Sequence, residues 1–302
     1  MAAYRVFDIF NAKIGSTQVV GATSFEARYG FRAVQSQGDG SIGIAARDKT
    51  RLYTSGRLAC EDIAAFGTLI GLFEAAESLS VMAEGKLAGN AVKGVKATLA
   101  HAKLVGAGLS FQAGRHAQST FDFRGSVAPA TVVPSAEVTV VEVATKAITY
   151  AAGLRGVVIK SAVFTPHGGG AITPLGVTGL DVNLRYQADQ AAGDNDYGES
   201  VEVGSAEVSG SLSFQDQTIT TLATVGQQLA AADWGVLAIT YSQQAGAADK
   251  VLSLANLAFE DEAMTKGANR YGANRMGFGC FFQNGADMYK VGSGTNKIIS
   301  VA

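Results

Sequence analysis

Cysteine, proline, histidine, tryptophan and net charge are all scarce in this chain of 302 residues, and each shortage removes a class of protein. The two cysteines, Cys60 and Cys280, are too few and too far apart for a disulfide framework or a zinc site, so both read as buried free thiols. His101, His116 and His167 stand without a carboxylate at ligand spacing, which leaves them surface or strand-end roles. Neither His-Glu-x-x-His, Cys-x-x-Cys nor a Gly-x-Ser-x-Gly elbow occurs, and Gly85-Lys86 is followed by Leu87 rather than Ser or Thr, so there is no P-loop. An enzyme, a cofactor and a metal are therefore not expected. The single Trp234 lies in an apolar stretch, against the clustered exposed aromatics of a sugar-binding surface.

Lys and Arg number 24 against 26 Asp and Glu, a formal net charge of -2, and that balance is a poor footprint for gripping nucleic acid. The apolar stretch 63–73 is about half the length that crosses a bilayer. Met1-Ala2-Ala3-Tyr4-Arg5 leads into Asp8 rather than into a signal-peptide core, so a soluble protein made in the cytoplasm is expected. All four prolines, Pro129, Pro134, Pro166 and Pro174, fall between the body of the first half and that of the second, marking a junction near residue 150.

What the chain does contain is a domain-sized repeat. Gly21-Ala22-Thr23-Ser24-Phe25 matches Gly176-Val177-Thr178-Gly179-Leu180, Gly38-Asp39 matches Gly193-Asp194, and Ser55-Gly56-Arg57-Leu58 with Asp62 matches Ser209-Gly210-Ser211-Leu212 with Asp216. The offsets are 155, 155 and 154. Arg5 to Ile9 resembles Arg155 to Ile159, and Ala113-Gly114-Arg115-His116 resembles Ala273-Asn274-Arg275-Met276 at an offset of 160, which suggests an insertion within 264–271. Offsets this steady are what a tandem duplication leaves, and two domains, 1–150 and 151–302, are expected.

Each half reads as mainly β with one helix. Strand-like alternation covers 24–33 and 51–59 around a polar loop at 35–49, and 180–186 and 200–214 around a second at 187–199. Ile63, Phe66, Leu69, Ile70 and Phe73 follow helical spacing, as do Ile219, Leu222, Val225 and Leu229, with Asp62 and Asp216 placed as N-caps. Strands are expected again at 79–83, 136–143 and 234–241, and the 37 glycines suit turns and bulges in such a fold. Asp194-Asn195-Asp196-Tyr197-Gly198-Glu199 alternates oxygen ligands but lacks the glycine and closing glutamate of a calcium loop. Gly168-Gly169-Gly170 lacks the strand-to-helix setting of a phosphate loop and reads as a hairpin tip.

Charge is placed unevenly. Between 181 and 207 seven acids, Asp194, Asp196 and Glu199 among them, meet only Arg185, whereas the bases from Lys86 to Arg115, including Lys93, Lys96 and Lys103, meet no acid. Two solvated faces would account for this; so would head-to-tail contacts between chains.

The order of glycine-led hairpin, long polar loop, strand reading Thr54-Ser55-Gly56-Arg57-Leu58 or Val208-Ser209-Gly210-Ser211-Leu212, aspartate cap, helix and closing strands resembles the tail tube proteins of long-tailed bacteriophages. The resemblance covers most of the chain twice. It implies tandem β-sandwich or half-barrel domains, three chains per pseudo-hexameric ring, and rings stacked into a virion tail tube through which DNA passes without tight binding. It further implies tail terminator, tape measure and baseplate partners and a near-neutral to acidic lumen wall. The loops holding Gly38, Asp39, Gly40, Gly193, Asp194, Asp196 and Glu199 would reach a neighbouring subunit rather than pack within their own domain, with Lys93, Lys96 and Lys103 as a candidate basic partner patch. A baseplate hub or tube initiator is the alternative of the same class, and a ligand-binding pair of β-sandwiches the alternative of another.

Overall fold

The computed structural model describes residues 2–36, 46–76, 78–87, 93–127, 137–144, 154–191, 198–215, 219–220, 223–244, 248–265, 273–282, 291–292 and 297–302. The first half runs β1 (Ala2–Ile14), β2 (Thr17–Gln18), β3 (Ala22–Ser36), β4 (Ala46–Cys60), α1 (Ile63–Ala75), β5 (Leu79–Leu87), β6 (Gly94–Gln112), β7 (Gln118–Gly125) and β8 (Val138–Val143). The second runs β9 (Leu154–Pro166), β10 (Val177–Ala191), β11 (Ser200–Phe214), β12 (Ile219–Thr220), β13 (Ala223–Thr224), α2 (Val225–Ala231), β14 (Gly235–Gln244), β15 (Lys250–Thr265), β16 (Ala273–Cys280) and β17 (Ile299–Val301). The fold is mainly β, as the alternation predicts, and among the described residues these strands pair antiparallel throughout.

Period-two alternation decides which face each strand buries. On β7, Ser119, Phe121 and Phe123 are buried while Thr120, Asp122 and Arg124 lie on the opposite face. α1 covers the apolar side. Asp62 is its N-cap, accepting from the Ala64 N–H at 2.9 Å, and Phe66 and Phe73 pack on Phe121 and Phe123 at ring-centroid distances of 6.1 and 5.3 Å. Each such phenylalanine, fully buried, contributes about 2–3 kcal/mol.

α2 departs from expectation. It begins at Val225, with Thr224 as N-cap and a complete capping box to Gln227, and Asp216 lies outside the described residues. Ile219–Thr220 pairs instead with Ala223–Thr224 as a short hairpin. The reason is local: Thr218-Ile219-Thr220-Thr221 is a β-branched run that loses rotamer freedom in a helix, and Thr224-x-x-Gln227 is the stronger start signal.

The repeat is visible as hydrogen-bond register. Adding 155 to β3 gives the bounds of β10, adding 154 to β4 gives β11, and adding 155 to β7 gives β16. The register shift on β6 between Leu104 and Gly106 recurs on β15 between Phe259 and Asp261. Gly21 and Gly176 both have positive φ, 67° and 63°, and so do His101 and Asn256, 45° and 51°, each pair 155 apart. The bond from Ser126 N–H to His101 C=O is repeated from Phe281 N–H to Asn256 C=O. These registers correct the match of Arg115 with Arg275: the residue equivalent to Arg275 is Thr120, and there is no insertion before β16. The largest length differences lie between β9 and β10 and between β16 and β17.

Among the described residues fifteen strands form one sheet across both halves. In the first half β5 pairs with both β1 and β6, so the pairing β1-β3-β4-β7-β6-β5 closes on itself. The second half has the equivalent order β9-β14-β15-β16-β11-β10, but β9 and β10 are not paired as strands. The end of β6 enters that gap: Gly106 to Gln112 pairs with β10, and beyond it Gly114 N–H donates to Val157 C=O and Val157 N–H to Arg115 C=O. One apolar core runs through both halves. The junction near residue 150 falls within 145–153, outside the described residues.

Candidate assembly surfaces

The face opposite the core on β1, β3, β4, β7, β6, β10, β11 and β16 is polar and concave, presenting Arg5, Glu26, Arg28, Arg57, Asp122 and Arg124 in the first half and Asn183, Arg185, Glu207 and Ser209 across the join. Ion pairs hold it together: Glu26 with Arg28 of the same strand and, across strands, with Arg5 at 3.3 Å; Arg57 with Asp122 at 3.5 Å; Arg275 with Asp181 at 3.9 Å. The Arg28 hydrogen bond, reinforced by the charges of Arg28 and Arg5, holds the Glu26 carboxyl below the usual glutamate range. This face carries more arginines than carboxylates.

The two long loops are shorter than the sequence suggests. Gln35, Ser36 and Ala46 to Lys49 belong to β3 and β4, and Gln187 to Ala191 belong to β10, because register pairing continues well past the apolar alternation. Gly38, Asp39, Gly40, Gly193, Asp194 and Asp196 lie outside the described residues. The Glu199 side chain is 3% exposed and is bonded within the chain to Arg32 of β3, whose Nη2 also donates to Gln190 Oε1 at 2.6 Å. Glu199 N–H donates to Leu52 C=O and Val127 N–H to Glu199 C=O, so the base of the second hairpin packs on the base of the first. Bonding to Glu199 raises the Arg32 guanidinium above its ordinary value.

Lys93 is exposed and pairs with Glu142 of β8 at 2.9 Å, so one member of the basic stretch has its acid within the chain. Lys96 stands opposite Glu84 and Val141 in the β5 and β8 registers, and Lys103 opposite Arg124 in that of β7. His101 and His116 each meet a carboxylate from a distant segment, Glu137 at 3.0 Å and Glu61 at 3.2 Å, contacts that spacing in the chain could not reveal. Among the described residues no group of three or more metal-ligating side chains is present. Burial pushes both thiols, Cys60 and Cys280, up to about 12. Gly168 to Gly170 form an exposed turn after β9.

Sequence reasoning misses the side chains that lock the halves together. Glu74 at the end of α1 accepts from Tyr186 Oη at 2.6 Å, Val291 N–H at 2.5 Å and Gly292 N–H at 2.9 Å. Gln243 on β14 accepts from the Ile63 N–H at 3.1 Å and donates to the Glu61 carbonyl, satisfying the start of α1. Thus the helix of the first half is anchored by residues of the second, and it packs on β17 as well as on its own β6 and β7. No signal short of the folded register marks Glu74 or Gln243.

Among the described residues no helix is long and apolar enough to cross a membrane. No family model matches the chain, and no curated protein matches it in sequence.

Proposed function

We propose that this chain is a structural virion protein that polymerises into stacked rings, the hollow tail tube of a long-tailed bacteriophage. In this reading residues 1–150 and 151–302 are tandem tube domains of sandwich or half-barrel type, and three chains supply six quasi-equivalent positions around one axis. The supporting observation is the seam at β6–β10. Two halves with the same registers are joined edge to edge in a continuous sheet, which is how equivalent units would also be joined from chain to chain.

A polar sheet face backed by an apolar face with one helix per half suits a tube wall. Arg5, Arg28, Arg57 and Arg275 on the polar face are held by Glu26, Asp122 and Asp181, which limits the counterion-releasing grip they would exert on passing DNA. Tail terminator, tape measure and baseplate proteins would be the partners, and the tail of the virion the location. The test is negative-stain imaging of the purified chain over a range of concentration and salt, alone and with terminator and chaperone partners. Rings or hollow tubes are expected; a chain that assembles under none of these conditions would refute the proposal.

A further inference from the structure

β3 and β10 are equivalent strands whose outer edges are covered differently. On β10, Gly179 to Arg185 pair with Gln112 to Gly106 of β6, a strand of the neighbouring half. On β3, the equivalent residues Ser24 to Tyr29 pair with Phe7 to Ala2, the chain's own first strand. Both covering segments run in the same direction and stand at the same positions: Arg5 faces Glu26 where Ser110 faces Asp181.

The first strand of the second half shows what happens when that place is taken. β9 remains on β14 from Pro166 back to Leu154, pairing Val158 with Ser242 and Leu154 with Gln244. Its counterpart β1 pairs with β5 back to Val6, opposite Leu87, the last described residue of β5, and Ala2 to Arg5 pair with β3. Meanwhile the edge of β15 equivalent to the β10-pairing part of β6 carries no strand among the described residues. Asp261 to Thr265 pair with β16 on one side, and β14 pairs with β15 only as far as Leu257.

A second difference points the same way. β17 and β8 are equivalent, since Ile299 to Val301 pair with β15 as Val138 to Val140 pair with β6. α1 packs on β17, where a Cβ at Gly67 would lie 3.5 Å from Val301. Among the described residues β8 has no such cover: Val140 and Val141 are 36% and 50% exposed. The helix that would cover them by equivalence is an α2 from another copy.

We infer that residues 2–5 form a self-capping arm that a second copy of this chain displaces. The edge of β15 at 261–265 then pairs with β3 of the next copy, Thr265 opposite Glu26 and Asp261 opposite Gly30, while α2 of the first copy closes over Val140 and Val141 of the next. The exchange replaces one antiparallel ladder by another, so its hydrogen-bond cost is small, and the added burial comes from the valines. A covered β3 edge also keeps the free chain from unregulated edge-to-edge pairing. The inference rests on the ring reading for its context, and its test separates the two.

The experiment uses the full chain with three cysteine pairs, each compared with its single-cysteine variants. E26C with T265C should cross-link copies to one another under mild oxidation, and D181C with S110C, the same register within the chain, should close internally. A3C with R28C should pin the arm to β3 when oxidised, blocking assembly until reductant is added. Cross-links between copies together with a reversible block uphold the inference. Rings or tubes that form without the 26–265 cross-link, or from the oxidised A3C/R28C chain, overturn it and leave the tube reading standing. Cross-linked strings that never close into rings uphold the edge pairing and sink the tube reading. A chain that neither assembles nor cross-links between copies, while the 181–110 control closes, overturns both.

Discussion

His101 and Asn256 hold the same unusual backbone, φ 45° and 51°, at the same point of the two halves, and both residue types tolerate the left-handed region better than most. A β-branched side chain there clashes with its own backbone, so Asn256→Val is expected to cost about 1–2 kcal/mol in urea unfolding, whereas Asn256→Gly should be near neutral. Glu26 is the residue with a pH signature. Its folded carboxyl titrates below the unfolded value because Arg28 and Arg5 favour the charged form, so its contribution is present above the unfolded value and lost as pH falls through the folded one. Glu26→Gln should therefore narrow the gap between urea midpoints at neutrality and at about pH 3. An unchanged gap would contradict the pairing. A positive φ at a bulge is a product of register and could not be singled out from the chain alone; for Glu26, Arg28 lies two residues along the same strand, whereas Arg5 reaches it only through the β1–β3 register.

At the level of elements, the Arg32–Glu199 pair is the clearest load on one contact, since it joins the base of the β10–β11 hairpin to β3. Arg32→Ala would leave the buried Glu199 carboxylate without its charged donor, at a cost of about 1–3 kcal/mol reduced by the exposure of the arginine. Arg32→Ala with Glu199→Leu should recover most of that loss, and thermal unfolding of the two variants measures the difference. Strands at 24–33, 51–59, 180–186 and 200–214 and the helix after Asp62 were legible, because alternation and a cap act locally. The ends of β3, β4, β10 and β11 were not, since polar residues there are held by ladder bonds rather than by burial. The start of α2 differs from the expected one because a β-branched run precedes the Thr224 cap, and Arg275 is equivalent to Thr120 rather than Arg115 because pairing register, not identity of letters, sets the match.

At the scale of the whole molecule, the steady offsets were legible in the sequence but the way the two halves join was not. Periodicity cannot show that β6 of one half pairs with β10 of the other, nor that Glu74 and Gln243 tie α1 to the second half. Those contacts make the two halves one sheet and one core, and the same contacts continued between chains would generate a ring with a fixed number of positions. The mass of the assembled ring, measured by native mass spectrometry, tests that most directly. Three chains of 31.1 kDa, about 93 kDa, showing six lobes in averaged images, is the predicted result. A closed ring of six chains, or a chain that remains a monomer at every concentration, would contradict it.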